Sequence, residues 1–275
     1  MMTGNITPGS EECLFEKYLG LLGIQRRQPG FKALKEIVAA QGSKVPFENI
    51  SKLFYSKRRN QNHLVEFELF LEGIEKYGFG GTCYSLNYYL NRLLSWLGYD
   101  AILCGADMKS KDAHIVSIVK NNEREYLVDA GYAAPFSVPI PLDLTNDFKI
   151  SCGSDLYVLR PRDTSNRSRM ELYRTGVLKH GYKINPLPRS INDFKEIIAD
   201  SFLGSATFMN AVLLTRFESD CFLMIHNMRV IESCDGKLTC HTMESLDQLA
   251  SVIDDRFGIP KNIVKECLNG LQLLP

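Results

Sequence analysis

Along the first third of the chain, apolar positions recur every three or four residues. The runs EECLFEKYLGLLGI (11–24), GFKALKEIVAAQGS (30–43) and HLVEFELFLEGIEKYG (63–78) carry this period and predict helices. From Asp100 to about Leu187 the pattern shortens. AILCGADM, HIVSIVKNNEREYLVDAGY, DLYVLR and MELYRTGV are rich in Val, Ile, Tyr and Leu and are separated by turn residues, which predicts antiparallel strands. The last third is mixed: PLPRSINDFKEIIADSF predicts a helix capped by Ser190 or Asn192, then AVLLTRF, CFLMIHNMRVIES and KLTCHTM read as strands and SLDQLASVIDDRFG as a helix. The fold class is α+β, with a helical unit over 1–98, a strand-rich unit over 99–188 and a mixed unit over 189–275. No internal repeat or long Gly/Ser linker separates them, so they are expected to pack into one body.

One stretch changes this from a packing pattern to a chemical one. In KYGFGGTCYSLNYYLNRLLSWLGYD (76–100), three glycines precede Cys83, and an apolar stripe at 86, 90, 93, 94 and 97 follows it. Thr82 is the natural N-cap and Gly98 the C′ residue of the helix so predicted. Cys83 falls in its first turn, where free N–H groups and the macrodipole favour a thiolate over a thiol. Gly78, Gly80 and Gly81 are read as allowing a sharp turn at positive φ that leaves the sulfur uncrowded. A lone cysteine is more often core than catalyst, so the helix start alone does not decide its role. A phosphate-cradling loop is excluded, because GFGGTC lacks the third glycine of GxGxxG and follows a helical rather than a strand pattern.

A cysteine nucleophile needs a histidine, and the chain has five. His114 opens HIVSIVK and Asp129 closes EYLVD. With Asn121 and Asn122 as a two-residue turn, the two stand directly opposite on one face, with Cβ atoms about 4.5–5.5 Å apart. A one-residue slip would send one of them to the other face. Taken singly, a strand-end histidine and an aspartate before Gly131 are ordinary features; together with Cys83 they form a nucleophile, a base and a carboxylate that orients it. His63 and His180 read as loop residues, His241 follows a strand end, and His226 interrupts an apolar strand.

Charge and cysteine usage narrow the partners. The 275 residues carry 32 basic and 32 acidic side chains, with 45% hydrophobic and 23% charged, so neither a nucleic-acid partner nor disorder is indicated. No run approaches the roughly 18 apolar residues of a membrane span, and the N-terminal stretch lacks a basic and apolar leader, which predicts a cytoplasmic protein without a membrane partner. Eight cysteines are scattered without a CxxC pair and read as free thiols. Cys234, Cys240 and His241 match no zinc spacing; Asp235 and Gly236 read as a turn between two strands, and no metal is expected.

The quoted motifs resemble those of the arylamine N-acetyltransferase family along nearly the whole chain. VPFENI (45–50) is similar to its PFEN segment, FGGTCYSLN (79–87) to its RGGxCxELN motif, AHIVSIV (113–119) to its histidine strand and YLVDAGYAAP (126–135) to its VDxGFG segment. SATFMN (205–210) and LASVIDDRFGI (249–259) resemble its S-x-F-x-N region and closing helix. The resemblance implies a Cys83, His114, Asp129 triad in a cysteine-protease-like core, a β-barrel-like second unit and an α/β lid. It also implies acetyl-CoA as acyl donor and an arylamine or hydrazine as acceptor, with Phe47, Tyr132 and Phe208 as candidate acceptor contacts. Departures from the motifs are Phe79 for arginine, Ser85 for glutamate, Ala133 for the last glycine and Ala113 for a polar residue; they bear on pocket shape and acceptor choice. The oligomeric state is not indicated. Alternatives within the same chemistry are an amide synthase using carrier-bound thioesters and a papain- or transglutaminase-like hydrolase, and outside it a binding module without activity.

Overall fold

The structure, a computed structural model, describes residues 10–218 and 220–273. The first nine residues of the N-terminal stretch lie outside the described residues. The chain begins with α1 (Glu11–Leu22), α2 (Phe31–Lys44), a two-residue strand β1 (Phe47–Glu48), α3 (Ile50–Arg59), α4 (Phe67–Tyr77) and α5 (Cys83–Trp96). Local chemistry sets the ends of these helices. Ser10 accepts a hydrogen bond from the Cys13 N–H to start α1, while Gly23 at φ 65° stops it. Past α5, Gly98 takes φ 92° and the Tyr99 N–H returns to the Leu94 carbonyl at 3.0 Å, as the sequence predicts. Helix α3 had no apolar run to announce it; its sequence ISKLFYSKRR is mostly polar, and Ile50, Leu53, Phe54 and Tyr55 supply its share of the apolar core.

The middle of the chain forms β2 (Asp100–Asp107), β3 (His114–Asn121), β4 (Arg124–Val128), β5 (Ile140–Pro141), β6 (Phe148–Cys152), β7 (Asp155–Arg160), β8 (Arg169–Arg174) and β9 (Val177–Pro188). They make one antiparallel sheet in the order β5-β4-β3-β2-β9-β8-β7-β6. Its two ends converge on a shared core: Val116, Leu127, Ile140, Tyr157, Leu172 and Tyr182, from β3, β4, β5, β7, β8 and β9, belong to a single packed cluster. The sheet therefore curls around its own apolar face like a barrel.

Beyond Pro188, Ser190 and Asp193 form a capping box on a short 3₁₀ turn (Ile191–Phe194) that leads into α6 (Lys195–Asp200) and α7 (Thr207–Asn210). Then come β10 (Leu213–Glu218), β11 (Cys221–His226), β12 (Arg229–Cys234), β13 (Lys237–Thr242), α8 (Leu246–Phe257) and α9 (Lys261–Leu268). The second sheet runs β1-β10-β11-β12-β13, so a strand from the helical part closes its edge. Asn49 secures that junction: its amide donates to the Phe208 and Ala211 carbonyls at 2.8 and 2.7 Å and accepts from the Leu213 N–H at 2.8 Å.

Three expectations need correction. The turn between β3 and β4 is Asn122 and Glu123, since Asn121 pairs with Arg124 and Ser117 with Val128. This shifts the register by two residues; because side chains alternate with period two, His114 and Asp129 keep a common face but are diagonal rather than opposite. Not all cysteines are free: Cys221 and Cys234 form a disulfide, one step beyond the Phe222–Ser233 pair of the same hairpin, where their Cα atoms are 4.3 Å apart. His180 is not in a loop. It lies within β9, and its Nδ1 is 2.7 Å from the Tyr132 hydroxyl.

Candidate active site

Helix α5 delivers Cys83 as its first residue, and like α2, α3 and α4 it starts without a side-chain cap. Thr82 makes no side-chain capping bond, whereas α1 and α8 are capped by Ser10 and Ser245. First-turn N–H groups of α5 are thus left for a ligand. Of the three glycines ahead of it, only Gly78 takes positive φ, at 62°. Gly80 serves close packing instead: a Cβ there would lie 1.8 Å from the Pro46 carbonyl oxygen. Ser85, the departure from the motif glutamate, turns its hydroxyl back to the Thr82 carbonyl at 3.1 Å.

Strand β3 presents His114 and the end of β4 presents Asp129, both enclosed at 2% and 3% exposure, against 8% for Cys83. His114 Nε2 donates to Asp129 Oδ2 at 2.8 Å. The remaining nitrogen, Nδ1, is left for Cys83, whose charge and hydrogen bond act on the ring. Burial is the largest single influence on His114 and pulls it down, but the Asp129 charge and hydrogen bond, with the smaller Cys83 contribution, outweigh it and raise the imidazole to about 10. Asp129 answers in the opposite sense: burial pushes it up, and the His114 charge and its hydrogen-bond donors hold it below the ordinary carboxylate range.

Sequence reasoning did not find the groups that hold Asp129. Tyr182 donates its hydroxyl to Oδ2 at 2.7 Å, while Asn87 Nδ2 and the Gly131 N–H donate to Oδ1 at 2.8 and 2.9 Å. Asn87 also donates to the Ile115 carbonyl and accepts from the Ala130 N–H, so one amide ties α5 to β3 and to the Asp129 loop. Its signal was present, for Asn87 lies four residues after Cys83 and so on the same helix face. Tyr182 arrives from β9, 53 positions from Asp129, with no local mark. Gly131 lets the loop touch α5: a Cβ there would be 2.6 Å from the Cys83 Cα. Two residues later Ala133 stands at φ 57°, keeping the left-handed conformation where the motif has glycine.

A cleft of about 250 Å³ opens over Cys83, walled by Thr82, Tyr84, Ala113 and Phe208. Phe208 is thus at the cleft. Phe47 lies behind it, edge-on with ring centroids 5.8 Å apart, and Tyr132 packs against the His114 ring at 5.7 Å and edge-on to Tyr182 at 4.7 Å. Among the described residues no cluster of three or more His, Cys, Asp or Glu is placed to hold a metal ion, and no helix is long and apolar enough to cross a membrane.

Comparison with known proteins meets this geometry from outside. Residues 31–265 match the family model described as N-acetyltransferase. A proansamycin X synthase of Amycolatopsis mediterranei is 30% identical over 159 residues, 54% of this chain and 58% of that protein. Arylamine N-acetyltransferase 2 of Mus musculus is 26% identical over 141 residues, 48% of this chain and 47% of the mouse protein. The matched segments span about half the length of these curated relatives. Among solved structures, the arylamine N-acetyltransferase of Mycobacterium marinum in complex with CoA superposes with a TM-score of 0.79 over 94% of this chain and 99% of that one, at 16% identity. With most of its length inside the family model and its fold shared end to end, the chain belongs to the N-acetyltransferase family that includes the arylamine N-acetyltransferases.

Proposed function

We propose that this protein transfers an acetyl group from acetyl-CoA to the nitrogen of an arylamine or arylhydrazine, in two half-reactions joined by a thioester on Cys83. The observation that carries this reading is the geometry of the three groups: Cys83 at the first residue of α5, and His114 held by Asp129 at 2.8 Å with its other ring nitrogen left for the sulfur. The nucleophile of the proposed reaction is the Cys83 thiolate, formed as His114 takes its proton.

In the first half-reaction the thiolate attacks the thioester carbonyl of acetyl-CoA. The C–S bond to CoA breaks, and the departing sulfur takes the His114 proton. In the second, the amine attacks the acetyl-cysteine carbonyl while neutral His114 accepts its proton. Asp129 keeps the ring oriented and supports its charge when it is protonated. The free N–H groups at the start of α5 serve the developing oxyanion in both steps. In this division of labour residues 1–98 bring the nucleophile, 99–188 the base and carboxylate, and 189–275 cover the cleft through Phe208. A cytoplasmic setting belongs to the same reading.

Incubation with acetyl-CoA alone is expected to leave one acetyl group per chain, visible in the intact mass and mapped to Cys83. A Cys83→Ala variant that still turns over would sink the assignment. A second reading, loading from a carrier-bound thioester to form an amide, is favoured by the similarity to a proansamycin X synthase. Loading from a carrier mimic but not from acetyl-CoA selects it.

A further inference from the structure

Few polar contacts join the barrel to strands β10 to β13. Among the described residues two hydrogen bonds do so: the Gly153 N–H donates to the Asp220 carbonyl at 2.9 Å, and the Ser154 N–H donates to the Ser233 hydroxyl at 3.0 Å. Both come from the β6–β7 turn. Gly153 stands at φ 56°, and a Cβ there would lie 2.3 Å from Ser233 Oγ. Beside them the Arg174 guanidinium, held by the buried Asp155 at 2.7 and 2.6 Å, lies 5.8 Å from the centre of the Phe222 ring.

Every group that meets the barrel here is next to a cysteine. Asp220 and Phe222 flank Cys221, and Ser233 precedes Cys234. Cys221 pairs with Glu218 at the end of the β10–β11 hairpin, and Cys234 pairs with Lys237 at the end of the β12–β13 hairpin. The disulfide therefore ties two neighbouring turns into one surface for the β6–β7 turn. It is within reach of solutes: Cys234 is exposed, Cys221 is half-buried, and both line a hollow of about 290 Å³ with Arg216, Glu218, Glu232 and Arg256. The other six cysteines are free, so the bond does not belong to a disulfide framework, and an open disulfide of this kind exchanges with thiols from outside.

We propose that Cys221 and Cys234 form a reversible thiol–disulfide switch that sets how tightly the barrel is held to the second sheet, with a dithiol as its reductant. A thiolate of the dithiol attacks the exposed Cys234 sulfur and the S–S bond breaks. The Cys221 sulfur leaves and takes up the proton that the attacking thiol gave up. The second thiol of the reductant then attacks its own sulfur in the mixed disulfide and releases Cys234 as a thiol. Two electrons pass to the protein and the reductant ends as a disulfide; a disulfide oxidant reverses both steps. Once the bond is open the two turns move independently, and Asp220 and Ser233 no longer keep one spacing for Gly153 and Ser154. Strand β10 follows shortly after α7, which brings Phe208 to the cleft, and this connects the seam to the cover over Cys83.

The test is hydrogen exchange of the whole chain, which needs no turnover and is independent of the acyl-transfer reading. Protein oxidised with glutathione disulfide is compared with the same protein after dithiothreitol, without denaturant. Alkylation and peptide mapping should find Cys221 and Cys234 blocked in the first sample and alkylated in the second. The Gly153 and Ser154 amides should exchange at least about tenfold faster in the reduced protein, while those of β3 and β4 keep their rates. The double variant Cys221→Ser, Cys234→Ser should show the faster exchange with or without dithiothreitol. Thermal melting checks its fold, and alanine at both positions takes the place of serine if it melts early. A pair that stays reduced in glutathione disulfide, a bond that opens only in denaturant, or equal exchange at Gly153 and Ser154 in the two states overturns the proposal. So does a double variant that still responds to dithiothreitol at these amides.

Discussion

Asp129 and Glu48 are both carboxylates sealed from water and both are tied to the start of α5, yet they ionise in opposite directions. Burial is the largest influence on each and pushes both upward. Around Asp129 the His114 charge and ring N–H, helped by Asn87 and Tyr182, reverse that push. Around Glu48 the partners are the Ser51 hydroxyl and backbone N–H groups, including those of Ser51 at 2.8 Å and Gly80 at 3.0 Å, and they do not reverse it. Several neutral donors soften the cost of a buried charge, but here only a cation overturns it. Phe79, which stands where the family motif has arginine, packs among Phe54, Tyr55 and Tyr77 at 5.2–6.0 Å between ring centroids and supplies no charge. One carboxylate is thereby held ionised beside His114, and the other holds the loop that ends in Cys83.

Removing the charge at Asp129 should have the largest effect. Asp129→Asn keeps the side-chain shape and an acceptor for the Gly131 N–H, but it takes away what raises His114 to about 10. Acetyl loading is expected to slow by about four orders of magnitude. Alkylation of Cys83 followed against pH checks the cause: an unchanged profile would mean that Asp129 does not govern the pair.

Next in size is the loss of the cation. His114→Gln leaves Asp129 enclosed without its partner, at an expected cost of about 3–5 kcal/mol in denaturant unfolding at neutral pH. The pH dependence has a definite sign. A depressed carboxylate contributes stability above its ordinary value near 3.8 and loses it as pH falls through the folded value. A raised imidazole contributes fully below 6.5 and loses it as pH climbs through about 10. The gap between wild type and variant should therefore be widest between these limits and close on both sides.

How far this contrast could be read from the sequence follows from which interactions are local. The placement of Cys83 was legible because glycines, N-cap and apolar stripe are contiguous. The pairing of His114 with Asp129 was legible because strand parity survives a shift of two, even though the turn residues were misassigned. The PFEN segment was recognised as a motif, but neither the Glu48 clamp on Gly80 nor the Asn49 tie to the second sheet can be seen without a fold, since the partners are 32 and about 160 positions away. The Cys221–Cys234 disulfide was missed for a related reason. Only the strand register shows that two cysteines separated by 13 positions face each other. Nothing in the sequence singles out Lys52, because the groups that cover it, Ser201 and Phe202, follow about 150 positions later.

A smaller effect should follow from trimming the neutral support of Asp129. Tyr182→Phe deletes one hydroxyl, 2.7 Å from Oδ2, while leaving the ring against His114 at 4.8 Å. A hydrogen bond to a charged group contributes about 1.5–3 kcal/mol, and that loss is expected in stability at neutral pH. Acetyl loading should fall far less than in Asp129→Asn, because the His114 charge still faces a carboxylate. A fall as large as that of Asp129→Asn would show that Tyr182, rather than the His114 cation, decides how Asp129 ionises.

The smallest effect, and the one that isolates the other carboxylate, belongs to Glu48→Gln. A group whose folded value is raised is most stabilising below its unfolded value, near 4.5 here, and costs stability as pH rises through the folded value. Gln does not titrate, but its NH2 cannot accept from one of the two backbone N–H groups that the Glu48 oxygens receive, a loss of about 1 kcal/mol that does not change with pH. As pH rises, wild type loses stability on ionising Glu48 and the variant does not, so the difference should move in favour of Gln. This is opposite in sign to the acid limb expected for His114→Gln, where the deficit of the variant deepens as pH rises from the carboxylate range. Unfolding midpoints of both variants across that range measure the contrast directly. If Glu48→Gln instead loses ground steadily as pH rises, Glu48 is held ionised by a partner as Asp129 is, and the distinction between the two carboxylates fails.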